Sequence, residues 1–159
     1  MKLRTITNSL LTILTVIVLL FVLLNVLSAP QGKGLLGFKG YTVLSNSMTP
    51  TFRAGDYVID RMDDFDSIQE GHIISYQAED QTIVTHRVIE KSAESATVQG
   101  DQNETPDQEA VTKSNYIGKK IMVIPFLGTF MMKMQNPLIF ALLCGLIALF
   151  FVWSFFKRD

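Results

Sequence analysis

The chain has 159 residues, 48% of them hydrophobic and 18% charged, with fourteen Lys and Arg against fifteen Asp and Glu for a formal net charge of −1. That length suits one domain of ordinary size, the composition excludes an intrinsically disordered chain, and the balanced charge gives no bulk attraction to nucleic acid. A single cysteine, Cys144, can neither close an internal disulfide nor build a Cys-rich metal site.

In chain order, the first element is the uncharged run Leu10 to Leu27, whose 18 residues at about 1.5 Å each reach roughly 27 Å, close to a bilayer core. It predicts a transmembrane helix. The alternative is a cleaved leader, because Lys2 and Arg4 form a basic start and Leu27-Ser28-Ala29 offers small residues. Against cleavage, the run exceeds the usual leader core of about 7 to 15 residues, and Pro30 would follow the cut without the N–H of an extended substrate. The glycine-rich stretch from Gln31 to Gly40 reads as a flexible exit.

Short β-branched or aromatic runs follow at Tyr41–Leu44, Tyr57–Ile59, Ile73–Tyr76, Thr82–Ile89, Ala96–Gln99 and Ile117–Val123, separated by Gly, Asp and Pro, and they predict a mostly β domain. Period-2 alternation along Thr82–Ile89 puts Val84, His86 and Val88 on one face and Ile83, Thr85, Arg87 and Ile89 on the other. Apolar residues on both faces suit a strand inside a compact barrel or sandwich. Residues 63–66 and 94–109 are polar enough to be loops, and helix signals are few between 29 and 136. Last comes Pro137 to Phe156, 20 uncharged residues with Trp153 near one end, a second predicted span.

Lys2 and Arg4 precede the first run and Lys157 and Arg158 follow the second, so the positive-inside rule places both termini in the cytoplasm of a two-span cell-membrane protein. The expected organisation is a cytoplasmic start and first transmembrane helix over 1–28, an extracytoplasmic domain over 29–136, and a second helix with a cytoplasmic end over 137–159. The expected fold class is thus a compact antiparallel β domain flanked by two transmembrane helices.

Three stretches carry chemistry: Ser45-Asn46-Ser47-Met48-Thr49-Pro50, Thr85-His86-Arg87, and Gly100 through Asp107. They supply a hydroxyl, an imidazole and carboxylates in that order. A serine hydroxyl is a poor nucleophile at neutral pH; an imidazole can take its proton, and a carboxylate can fix the ring's tautomer and stabilise the imidazolium. Residue types alone are weak evidence, since loop serines and aspartates abound, but the only histidines are His72 and His86.

In these motifs the chain resembles the type I signal peptidases of the endoplasmic-reticulum-like branch, found also in archaea and some Gram-positive bacteria. Residues 45–50 resemble the family's S-G-S-M-x-P box, residues 85–87 its T-H-R box, and Gly100-Asp101-Gln102-Asn103 its G-D-N-N box. The resemblance covers about residues 41 to 124. It implies Ser47 as nucleophile, Ser45 as an oxyanion contributor, His86 as general base, Asp107 as the triad acid and Asp101 as a supporting carboxylate. It also implies a membrane-bound serine endopeptidase without metal or organic cofactor, acting beside the lipid bilayer on the signal peptides of exported preproteins. Two departures stand out. Asn46 replaces the usual glycine, and because Asn tolerates positive φ the turn around Ser47 is expected to survive. His72 stands where an acidic residue is common, outside the T-H-R match, and is expected to serve at a surface or strand edge rather than as base. Rival functions are a self-cleaving membrane serine peptidase and a non-enzymatic two-span protein whose β domain binds envelope proteins.

Overall fold

The computed structural model describes residues 2–28 and 34–156, less a number of side chains in its two long helices. Two compact units divide the chain: Val26–Thr129, and Met1–Asn25 with Phe130–Asp159. The first unit holds seven strands: β1 Phe38–Thr42, β2 Tyr57–Arg61, β3 Ile73–Gln77, β4 Ile83–Lys91, β5 Ser95–Gln99, β6 Val111–Thr112 and β7 Tyr116–Ile124. They form one antiparallel sheet in the order β1-β2-β7-β3-β4-β5-β6. Three α-helices, α1 Lys2–Leu27, α2 Leu127–Met134 and α3 Pro137–Phe156, and a short 3₁₀ helix at Phe65–Ser67 complete the elements.

The six predicted runs coincide with β1 to β5 and β7, with ends moved by a few residues. A closed barrel or two-sheet sandwich was the expected setting; the strands instead make one open sheet ending at β1 and β6. Its apolar residues occupy both faces because each face has its own cover. Successive residues of β3 point to opposite sides. Ile74 joins a core with Phe65, Ile68, Tyr76, Val88, Val98 and Val111, whereas Ile73 packs with Val58 and with Met48 and Phe52 from the β1–β2 connection.

The expectation of two flanking transmembrane helices is corrected. α1 and α3 occupy the two uncharged runs, but among the described residues no helix is long and apolar enough to cross a membrane. The two-span localisation with cytoplasmic termini goes with it. Lys2, Arg4, Lys157 and Arg158, on which that orientation rested, lie outside the described side chains, as does the Ala29–Pro30 junction.

Besides the short 3₁₀ helix at Phe65–Ser67, two elements between residues 29 and 136 escaped the pattern reading. β6 is two residues long, too short for a period-2 signal. α2 starts where no polar cap announces it, and its first turn lies close against backbone: a Cβ on Gly128 would lie 2.4 Å from the Asp56 carbonyl oxygen. Asp56 is itself buried, and its carboxylate accepts the N–H groups of Arg53 at 3.0 Å and Phe126 at 3.1 Å.

Asp60, on β2, is fully buried between its cross-strand neighbours Lys39 on β1 and Lys120 on β7. Neither carboxylate oxygen has a hydrogen-bond partner among the described residues, and the hydroxyls of Tyr41 and Tyr116 are likewise buried without one. Burial pushes the Asp60 carboxyl up to about 7, and Ser75, Lys120 and Lys39 pull it back only in part. The Ser75 hydroxyl is engaged with Thr85 Oγ1 at 2.7 Å. In the unfolded chain the same group ionises near 4 or slightly below. Between about pH 4 and 7 the folded state therefore keeps a proton that the unfolded state has released, so the stability this group confers is fully present below that window and is lost as pH rises through about 7. Unfolding free energy measured by denaturant titration is expected to drop by roughly 2–3 kcal/mol from pH 5 to pH 8 on this account, and Asp60→Asn is expected to remove that slope. An unchanged slope in the variant would show that Asp60 does not titrate in this range.

Candidate active site

Ser47 lies in the β1–β2 connection, in a turn closed by the Thr49 N–H donating to Asn46 O at 3.0 Å and the Phe52 N–H to Met48 O at 3.1 Å. Met48 and Phe52 are buried under the sheet and hold the turn down by its apolar side. The turn needs no left-handed backbone at position 46, since the non-glycine residues with positive φ among those described are Leu36, Gln81 and Phe126. Asn46 instead uses its amide oxygen, which accepts the Ala54 N–H at 3.0 Å. The Thr49–Pro50 peptide bond is cis.

His86 sits in the middle of β4, opposite Ile74 of β3, on the face of the larger core. Asp107 comes from the loop between β5 and β6, where its N–H donates to Val98 O at 2.9 Å. The structure brings the three side chains into line. His86 Nε2 is 3.0 Å from Ser47 Oγ, and His86 Nδ1 is 2.5 Å from Asp107 Oδ2. The His86 and Asp107 side chains are 9% and 14% exposed, so the pair is shielded while the serine end opens outward. Ser45 Oγ lies 3.3 Å from Ser47 Oγ.

Asp101 is nearby but meets a different partner. Arg87 Nε and Nη2 grip its two carboxylate oxygens at 2.8 Å each, and the Thr51 hydroxyl donates to it as well. The guanidinium, ahead of the Thr51 hydroxyl, holds the Asp101 carboxyl below the usual carboxylate range. Arg87 also donates to Gly71 O at 3.0 Å. His72 is remote from this arrangement in kind: its Nδ1 accepts the Gln69 N–H at 3.0 Å in the turn before β3.

Pattern reading missed Tyr76, whose hydroxyl donates to Asp107 Oδ2 at 2.8 Å, and the Arg87 and Thr51 clamp on Asp101. Tyr76 closes the predicted run Ile73–Tyr76, but only the β3–β4 register, which pairs it with Val84, reveals that it shares a face with His86. The second tie on the nucleophile was also out of reach: Gln102 N–H donates to Ser47 O at 2.8 Å, and a Cβ on Gly100 would lie 2.7 Å from that same oxygen.

An open cleft of about 680 Å³ runs past Ser47 and His86, walled by Tyr41, Val43 and Leu44 on one side and by Ile83 and Val84 on the other. Among the described residues no group of three or more His, Cys, Asp or Glu side chains could hold a metal ion. The arrangement can move a proton from a hydroxyl to an imidazole backed by a carboxylate, beside an open cleft.

No family model matches the chain. Signal peptidase I W of Bacillus subtilis (strain 168) is 28% identical to it over 105 residues, which are 63% of this chain and 55% of that protein. The chain thus spans about half the length of the relative it matches. The likeness is distant, and it supports assignment to the signal peptidase I family at that level and no finer.

Proposed function

We propose that the chain is a serine endopeptidase that removes signal peptides from exported preproteins, of the endoplasmic-reticulum-like kind that uses histidine as base. The observation that carries this reading is the continuous chain of contacts from Ser47 Oγ through His86 to Asp107, at 3.0 Å and 2.5 Å. The similarity to signal peptidase I W supports the substrate class.

In this mechanism a preprotein lies extended in the cleft, where main-chain hydrogen bonds supply affinity and shallow pockets for alternate side chains supply selectivity. Small residues at the first and third positions before the cut are the preference that the family resemblance implies. Ser47 Oγ attacks the scissile carbonyl as its proton passes to His86 Nε2, and Asp107 holds the ring with Nδ1 protonated. The oxyanion that forms is stabilised by the Ser45 hydroxyl and the backbone N–H at Ser47, a kind of contact whose loss costs roughly 10²- to 10³-fold in rate. His86 then protonates the departing amine, and water, deprotonated by the same ring, hydrolyses the acyl-enzyme.

Ser47→Ala and His86→Ala are each expected to lower cleavage of a purified preprotein by at least about 10³-fold while leaving the fold intact, and His72→Ala to leave it nearly unchanged. Cleavage retained by Ser47→Ala would remove the nucleophile from the scheme, and dependence on His72 instead of His86 would reassign the base. Self-processing would be seen as fragments of the wild-type chain that disappear in Ser47→Ala. The two carboxylates separate by a different measurement. Asp107→Asn is expected to cost on the order of 10³- to 10⁴-fold in kcat, because the ring is left in the wrong tautomer. Asp101→Asn, which loosens the Arg87 clamp, should lower Tm and cost less than about tenfold in the folded enzyme. Equal losses in kcat would mean that Asp107 has no privileged hold on the imidazole.

A further inference from the structure

Tyr76 is buried in the larger core, 3% exposed, with its ring packed among Ile74, Val88 and their neighbours. Its hydroxyl donates to Asp107 Oδ2 at 2.8 Å, the same oxygen that faces His86 Nδ1 at 2.5 Å. A carboxylate oxygen has lone pairs for both donors, so the two bonds coexist. The β3–β4 ladder makes the coincidence structural. Ile74 pairs with His86 and Tyr76 with Val84, which places Tyr76 and His86 as diagonal neighbours on one face, within reach of a single group lying over both strands.

We propose that Tyr76 is a positioning residue for the reaction, a fourth member of the chain Ser47–His86–Asp107–Tyr76 that docks the Asp107 carboxylate against the imidazole and moderates its basicity. The inference rests on the reading of Ser47, His86 and Asp107 given above. Asp107 is carried by a loop, and among the described residues the side chains that hydrogen-bond its carboxylate are His86 and Tyr76. Tyrosine suits the task because its ring is rigid and fixed by core packing, so little freedom remains to blur the position of the hydroxyl. Burial first, and the Asp107 carboxylate second, raise the Tyr76 phenol above its ordinary range, which keeps it a neutral donor at every working pH. A donor on a carboxylate oxygen disperses its charge; without it the carboxylate is more basic and favours the imidazolium more strongly.

The test compares wild type, Tyr76→Phe, Asp107→Ala, the double variant and Ser47→Ala on a fluorogenic peptide with alanine at the first and third positions before the cut. Tyr76→Phe keeps the ring in the core. It is expected to lower kcat by about 5- to 30-fold with KM within about twofold, and to move the acid limb of kcat/KM to higher pH by about half a unit. In the Asp107→Ala background the same change is expected to do nothing further, since Tyr76 acts through that carboxylate. Fluorotyrosine at position 76, a stronger donor that preserves the packing, should move the limb to lower pH. An unaltered pH profile in both replacements, or a Tyr76→Phe loss that persists undiminished without the Asp107 carboxylate, would overturn the inference and leave Tyr76 as core packing. Undiminished activity in Ser47→Ala would instead sink the underlying reading, so the two failures are told apart by different variants.

Discussion

Two consecutive residues of one strand, His86 and Arg87, point to opposite faces of the sheet, and each finds a carboxylate from the same loop. His86 meets Asp107 and Arg87 meets Asp101. The loop after β5 is thereby held astride β4, one acid on each side, and neither grip can shift without disturbing the other. A one-residue slip in the β3–β4 register would exchange the faces and put the guanidinium where the imidazole belongs. The pairing of Ile74 with His86 and of Ser75 with Thr85, the latter reinforced by a hydroxyl contact at 2.7 Å, opposes that slip.

The same clamp reaches the nucleophile. Thr51, four residues after Ser47, donates to Asp101, and the Gln102 N–H donates to Ser47 O at 2.8 Å, so the loop that carries the acids also braces the turn that carries the hydroxyl. Gly100 permits this approach because any side chain there would collide with Ser47 O. On the far side Met48 and Phe52 are buried against Val58 and Ile73. The serine is thus fixed by apolar burial beneath and by backbone hydrogen bonds beside it, which is the preorganisation that a proton transfer over 3.0 Å requires. Charge does the long-range fastening and core packing the fine placement; the bidentate Arg87–Asp101 pair supplies direction that a lone lysine contact would lack.

How much of this could be read in advance follows from the range of each signal. Strands announce themselves locally through β-branched and aromatic runs, so β1 to β5 and β7 were legible, and the faces of β4 followed from alternation alone. The candidate site residues were nameable because short motifs preserve their spacing, even where Asn46 stands in place of glycine. What sequence withholds is register and depth. Nothing local tells that Tyr76 lies diagonal to His86, that Asp60 is sealed between two lysine-bearing strands, or that Gly128 in the first turn of α2 lies so close to the Asp56 carbonyl that no side chain would fit. The terminal runs illustrate the converse: hydropathy over a window says how oily a segment is, yet among the described residues no helix is long and apolar enough to cross a membrane.

Asn46 shows how a departure from a motif can be absorbed. A glycine at that place is usually understood as backbone freedom, yet here the backbone does not enter the left-handed region, so freedom is not what the turn consumes. The position needs something to keep the chain before Ser47 close to the chain after it. An asparagine does so with its side chain, bridging to the Ala54 N–H across the turn at 3.0 Å. Such a bond satisfies a backbone donor that would otherwise look to water and shortens the range over which the serine can wander. Flexibility lost at the nucleophile's neighbour is therefore replaced by a tether, and the hydroxyl remains within hydrogen-bonding distance of the imidazole.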